Sequence, residues 1–175
     1  MPIRLMVGYQ DPRLRALCTP ADPTSPDIRQ AVADLWDTLA TQRGVAIAAP
    51  QIGLPVRLFV WNLKRARESG GPPTRGVLVN PVLIERKGSV PVIEGCLSFP
   101  GLDLSIRRPE WVTVSGFSEK GEPVAYSGSG LFARMIEHEM DHLDGVLLPD
   151  RQPALSRVLS FIRRRRWEKK MEESR

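Results

Sequence analysis

The sequence predicts an α+β domain, with antiparallel or mixed sheets packed around a central helix, one helix near the N-terminus and another at the C-terminus. Three observations predict it. Short β-type runs fill the middle of the chain, the clearest core-type helical pattern comes late, at 131–143, and no regular strand-helix-strand alternation joins them. A length of 175 residues, 42% of them apolar and 26% charged, suits one globular unit with one core.

In chain order, Ser25, Pro26 and Asp27 read as a helix entrance, and Ile28, Val32, Leu35 and Leu39 recur at helical spacing up to Gly44. Residues 45–49, 56–61 and 76–85 are short β-type runs. Between the last two, 65–75 reads as an exposed loop carrying Gly70, Gly71, Pro72 and Pro73. Residues 111–117 and 123–126 flank Glu119, Lys120 and Gly121, a hairpin pattern. Ser127-Gly-Ser-Gly then leads into the helix at 131–143. Its spacing puts Leu131, Met135, His138 and His142 on one face, and Gly145 stands beyond its end. A last helix is expected from near Pro153, burying Leu155, Val158, Leu159 and Ile162 before Arg163–Arg166 carry its polar end into solvent.

Charge divides the chain. Residues 151–175 hold nine Lys or Arg and three Glu, a net +6, whereas 1–150 sum to −1, although the whole carries +5. The reading is therefore a single domain over 1–150 followed by a basic helical extension over 151–175. Two cysteines exclude a disulfide-rich scaffold and point to a reducing compartment. Residues 1–9 are too broken for a signal-peptide core, and no apolar run approaches the roughly 18 residues of a membrane span. A cytoplasmic protein with no membrane partner is expected.

The strongest chemical signal is His138-Glu139-Met140-Asp141-His142 on the predicted central helix. Four residues at about 100° each bring the second imidazole to within roughly 40° of the first, so both can reach one ion. Glu139 lies to the side, placed to take a proton from water at that ion. With two histidines in the chain, chance would place them four apart about 1% of the time. The alternative is one core and one surface histidine.

A catalytic ion usually has three protein ligands and an open position. The metzincin pattern H-E-x-x-H-x-x-G-x-x-H fails here, because Gly145 fits but Leu148 stands at the final histidine position. A zinc endopeptidase drawing its third ligand from Glu168 or Glu172 would place a buried ligand in the polar tail. The better third ligand is Cys96 in Glu94-Gly95-Cys96-Leu97-Ser98: a thiolate binds zinc or ferrous iron well, and Gly95 permits close backbone approach. Read in isolation, Cys96 would be a buried apolar cysteine. Gly44-Val-Ala-Ile-Ala-Ala-Pro-Gln51 is a small-residue strand beside which an extended peptide can pair, and Gln51 can donate to a developing oxyanion. Gly44, Val45, Ala46 and Gly95 are thus candidate substrate contacts. Leu131 and Met135, on the face of His138, are candidates for an apolar pocket wall, and Arg134 either reaches the rim or pairs with an acid.

Together these segments resemble the peptide deformylases. Gly44–Gln51 is similar to that family's G-x-G-x-A-A-x-Q, Glu94–Ser98 matches E-G-C-x-S, and 138–145 resembles Q-H-E-x-D-H-L-x-G. Asp11-Pro-Arg-Leu-Arg15 is similar to the family's opening segment, so the likeness spans about residues 3–150. It implies hydrolytic removal of formate from N-formylmethionine on newly made chains. It also implies that Cys96, His138 and His142 hold one divalent ion, commonly ferrous iron, with zinc, nickel or cobalt able to replace it. Glu139 would move the proton, and Gln51 with the Leu97 N–H would hold the formyl oxygen. Glu94 and Arg108 match a family pair that supports the metal loop.

Two residues depart from the family pattern. Ala46 replaces its second glycine, and Glu137 replaces the glutamine before the first histidine, adding a carboxylate beside the site. The family's work on emerging chains also suggests that Arg163–Arg166, Lys169 and Lys170 contact ribosomal RNA phosphates, against the plainer reading of a solvated tail. The remaining non-enzymatic reading is a basic ribosome- or RNA-binding module with a structural ion.

Overall fold

The computed structural model describes residues 4–63 and 72–152, together with Trp167 and Lys169. Helix α1 spans Pro26–Thr41. Strands β1 (Ala46–Ala48) and β2 (Leu58–Asn62) precede the long β3 (Arg75–Lys87), then β4 (Val90–Cys96), β5 (Phe99–Arg108), β6 (Trp111–Phe117) and β7 (Pro123–Ser129). Helix α2 is Gly130–Leu143. One sheet has the order β1-β2-β3-β6-β7, and β4 with β5 forms a separate hairpin. All these pairs are antiparallel.

Alternation along the strands divides the core. Ile47, Leu58, Val60, Val77 and Val79 pack with Ile28, Val32, Leu35 and Leu39 of α1. Their neighbours Ala46, Ala48, Phe59, Trp61 and Leu78 pack with Phe132, Ala133, Ile136, Met140 and Leu143 of α2. Side chains one apart in a strand face opposite ways, so a sheet covered on both sides reads as an unbroken apolar run. That is why 45–49 and 56–61 lack a polar stripe. The hairpin has its own core, in which Leu102, Leu104 and Ile106 meet Val7, Leu14, Leu147 and Leu148. Helix α2 also contacts β5, so it lies between sheet and hairpin.

The helix ends follow local chemistry. Ser25 Oγ accepts the Ile28 N–H at 3.2 Å, with Pro26 at the first helical position. Beyond α2, Gly145 has φ +67°, and a β-carbon there would lie 2.5 Å from the Arg15 carbonyl oxygen. Glycine is required on both counts. Asn80 has φ 50° in β3 and is held by its side chain, which accepts from the Ala21 N–H at 3.0 Å and donates to the Ala21 carbonyl at 2.8 Å.

Several expectations shift. Arg75, read as the end of a loop, opens β3, and that strand runs two residues past the predicted Glu85; most of 65–75 lies outside the described residues. The strand after the 119–121 turn continues through Ser129, so Ser127-Gly-Ser is strand because it pairs with Trp111, Val112 and Thr113. Gln51 ends no strand: Ala49–Ile52 is a turn of 3₁₀ helix. The predicted last helix, with Leu155, Val158, Leu159, Ile162 and Arg163–Arg166, lies outside the described residues. Trp167 and Lys169 are helical, and the Trp167 ring packs on Tyr9 and Phe99 while its Nε1–H donates to the Pro100 carbonyl at 2.7 Å. No helix among the described residues is long and apolar enough to cross a membrane.

Candidate metal centre

Cys96 is the last residue of β4, where the β4–β5 ladder loses register between Glu94 and Cys96 before the hairpin turns. Such an irregularity re-aims a side chain, and here it points the thiol at α2. Cys96 Sγ lies 3.2 Å from His142 Nε2. The sulfur, one nitrogen of His138 and one of His142 all lie within 4.8 Å of one another. These are soft and intermediate donors, the set that suits zinc or ferrous iron. Burial alone would raise the Cys96 thiol, but the two imidazoles overcome it and hold the thiol well below its ordinary range. A donor group already biased to thiolate fits a divalent ion.

The histidines are aimed by the residues around them. Glu94 Oε1 lies 2.6 Å from His138 Nδ1, which leaves Nε2 to face the centre. Arg108 grips the same carboxylate with two nitrogens, at 2.6 and 3.1 Å, and reaches Asp141 Oδ2 at 2.7 Å. Arg151 Nε donates to both Asp141 oxygens at 3.0 Å. Two carboxylates and two guanidiniums thus tie the hairpin to the turn of α2 that carries both histidines. The expected Glu94–Arg108 pair is present, and its extension through Asp141 was missed. The aspartate inside H-E-M-D-H is the signal that could have found it.

Burial would raise Glu94, but the hydrogen bonds from His138 and Arg108 prevail and bring its carboxyl from 4.5 to about 2. A depressed carboxylate adds stability that is complete above the unfolded value and lost as pH falls through the folded one. The shift corresponds to about 3 kcal/mol. Urea titrations of wild type and Glu94→Gln are therefore expected to show a stability gap that is constant above about pH 4.5 and shrinks by that amount towards pH 2. A pH-independent gap would refute the assignment.

Gln51 is fixed by the backbone. Its Oε1 accepts the Ala48 N–H at 2.9 Å, so the amide NH₂ is turned towards Cys96 Sγ at 3.7 Å and Ser98 Oγ at 3.3 Å. Glu139 is buried and its Oε2 has no partner, as is also true of His142 Nδ1. Desolvation raises the Glu139 carboxyl from 4.5 to about 7, against the pull of His138 and His142.

A cavity of about 360 Å³ opens onto these groups. Gly44, Val45 and Ala46 line it from the strand side, and Gly95, Cys96 and Leu97 from the hairpin. Leu131, Met135, His138 and Glu139 line it from α2, with Gln51 and Glu94 also exposed to it. His142 lies deeper and Arg108 behind Glu94. A β-carbon at Gly44 would meet Leu97 Cδ1 at 2.8 Å, so a side chain there would displace that leucine from the cavity wall. The Ala46 methyl is accommodated in the core cluster shared with α2. The added carboxylate of Glu137 is paired with Arg86 Nε at 2.6 Å. Arg134 lines the cavity and has no acidic partner among the described residues. Arg43 and Ile93 also line it and were not anticipated from sequence, since neither belongs to a motif.

The family model for polypeptide deformylase matches residues 3–158. A peptide deformylase of Acidothermus cellulolyticus is 40% identical over 168 residues, covering 95% of this chain and 87% of that relative. One of Thermomicrobium roseum is 39% identical over 152 residues, 86% of each. Among solved structures, the peptide deformylase of Thermus thermophilus superposes with a TM-score of 0.86 at 34% identity, covering 99% of this chain and 100% of that one. The Synechococcus elongatus peptide deformylase in complex with actinonin gives 0.80 at 36% identity, with 88% and 83% covered. A thiol and two imidazoles converging beside a buried glutamate, in a fold shared along nearly the whole length, leave one conclusion: the chain belongs to the polypeptide deformylase family.

Proposed function

We propose that residues 1–150 form a single catalytic domain in which Cys96, His138 and His142 hold one divalent ion, Glu139 moves the proton, and Gln51 with the Leu97 N–H holds the formyl oxygen. The activity is that of the family, hydrolysis of the formyl group from N-terminal formylmethionine of new polypeptides with release of formate. The observation that carries the reading is the convergence of the three donor atoms beside the unpartnered Oε2 of Glu139. The ion proposed is ferrous iron, as the family resemblance implies, and a thiolate with two imidazoles also accepts zinc, nickel or cobalt.

When bound, the ion supplies Lewis acidity that polarises the formyl group and makes a water acidic. The protein supplies position and proton transfer. The formyl end of an extended chain enters along Gly44–Ala46 and Gly95, and the methionine side chain lies against Leu131 and Met135. As the formyl carbon becomes tetrahedral, the Gln51 NH₂, oriented because Gln51 Oε1 accepts the Ala48 N–H, and the Leu97 N–H donate to its oxygen. Glu139 Oε2 takes the water proton and returns it to the methionine nitrogen as the C–N bond breaks. Glu94, Arg108 and Asp141 hold His138 and the final turn of α2 in place throughout.

The decisive test is anaerobic formate release from formyl-Met-Ala-Ser by iron-loaded protein, with the metal content measured on the same sample. Stoichiometric metal with formate release and an uncut peptide backbone is the expected result. Backbone cleavage would favour the endopeptidase, and full metal with neither reaction would favour the structural-ion module. The basic 151–175 extension is proposed to contact ribosomal RNA phosphates and the protein to work in the cytoplasm; loss of low-salt ribosome co-sedimentation on deleting 163–175 tests the contact.

A further inference from the structure

Two cations in the cavity are not used by the chemistry above. Arg43 precedes the small-residue segment, Arg134 stands on α2 one turn before His138, and both line the cavity. Other arginines around the site are engaged: Arg108 with Glu94 and Asp141, Arg151 with Asp141, and Arg86 with Glu137. Arg43 and Arg134 have no hydrogen-bond or ion-pair partner among the described residues. Nor does an acid of the lining offset them. Glu94 is gripped by Arg108 and His138, Glu139 is buried at the ion end, and Asp103, whose carboxylate lies against Gly95, is outside the lining.

We propose that Arg43 and Arg134 make the enzyme selective for formylmethionyl chains with acidic side chains at their second and third residues. The inference rests on the deformylase reading, which fixes the formyl end at the Cys96–His138–His142 group. Along α2, four residues separate Arg134 from His138, about 6 Å of axial rise. An extended chain covers that in roughly two residues at about 3.3 Å each. Leu131 and Met135, the apolar wall for the methionine side chain, bracket Arg134 along α2, so its guanidinium stands beside the methionine pocket, within reach of the residues that follow methionine. Arg43 flanks the same stretch from the strand side, one residue before Gly44. Arg134 is half-buried and Arg43 exposed, and a guanidinium with no internal partner is available to a carboxylate of the substrate, by a fork of two N–H donors. A lysine or arginine of the substrate would meet two like charges there.

Three C-terminally amidated peptides test this: formyl-Met-Glu-Glu, formyl-Met-Gln-Gln and formyl-Met-Lys-Lys, each assayed for formate release at low and high salt. The wild type is expected to prefer the acidic over the basic peptide by about tenfold in kcat/KM at low salt, mainly through KM. Raising ionic strength to about 1 M shortens the screening length to about 3 Å and should erase most of it. Arg134→Glu is expected to reverse the order, and the double variant Arg43→Gln/Arg134→Gln to flatten it, each relative to the neutral peptide in the same protein. Inhibition by the products Met-Glu-Glu and Met-Lys-Lys should show the same ranking without turnover. Equal rates in the wild type, or a preference that survives both variants, would overturn the charge reading alone. Formate release from none of the three would overturn the underlying activity, and the proposal with it.

Discussion

Replacing Glu139 by alanine is expected to lower formate release by at least about 10³-fold, within the range of a positioned general acid–base, while leaving the metal bound. The carboxylate is one helical step from His138 yet is not part of the converging donor group, so its loss removes no ligand. It is also buried at 3% exposure with Oε2 unpartnered, a strained placement for a group with only a positioning role. The cost appears in stability. Burial raises its carboxyl to about 7, so the metal-free folded state binds a proton more tightly than the unfolded chain. A raised acid destabilises increasingly as pH climbs from its unfolded to its folded value, here by about 3 kcal/mol in all. Metal-free Glu139→Gln should therefore match wild type near pH 4.5 and exceed it in stability by that amount above pH 7. Lost turnover joined to gained stability is the pattern of a catalytic group and not of a structural one. Wild-type turnover in the alanine variant would remove the role.

Much of this site was legible because its parts obey local rules. Two histidines four apart lie on one helical face wherever the helix goes, and Gly145 marks its end by the same backbone logic that the structure shows. The apolar runs at 45–49 and 56–61 had to be strands buried on both faces or parts of a helix, and their shortness settled it. The β4–β5 hairpin was not read, although Leu102, Leu104 and Ile106 alternate with polar residues in the period of a strand. The pattern ends in Arg108, an inward-facing charge whose pairing with Glu94 was expected only from the family resemblance and not from the strand pattern. Its partners, Glu94 and Asp141, come from two other elements, and no spacing rule along the chain links them. Likewise Gln51 looked like the end of a strand, because a 3₁₀ turn of Ala-Pro-Gln-Ile has no periodicity of its own. What its turn achieves, presenting the amide NH₂ to the Cys96 side, depends on the Ala48 N–H that holds the other end.

Cys96→Ala is the substitution expected to abolish the centre outright. A four-ligand protein site binds zinc with about 10–16 kcal/mol, so one ligand's share is roughly 3–4 kcal/mol, or several hundred-fold in affinity. The thiolate's share should be at the upper end, because it alone brings charge: without Cys96, two imidazoles face a dication with no anionic donor among them. Dialysed variant should hold less than about a tenth of an equivalent of metal, and formate release should fall with it. The fold should survive, since removing one buried sulfur in the hairpin cluster of Leu102, Leu104 and Ile106 costs about 1 kcal/mol by the scale of single core-atom deletions. Calorimetric metal titration together with thermal unfolding separates the two effects. Metal affinity unchanged in a folded Cys96→Ala protein would place the third ligand elsewhere, as a zinc endopeptidase requires. The same result would leave the 3.2 Å approach of Cys96 Sγ to His142 as packing alone.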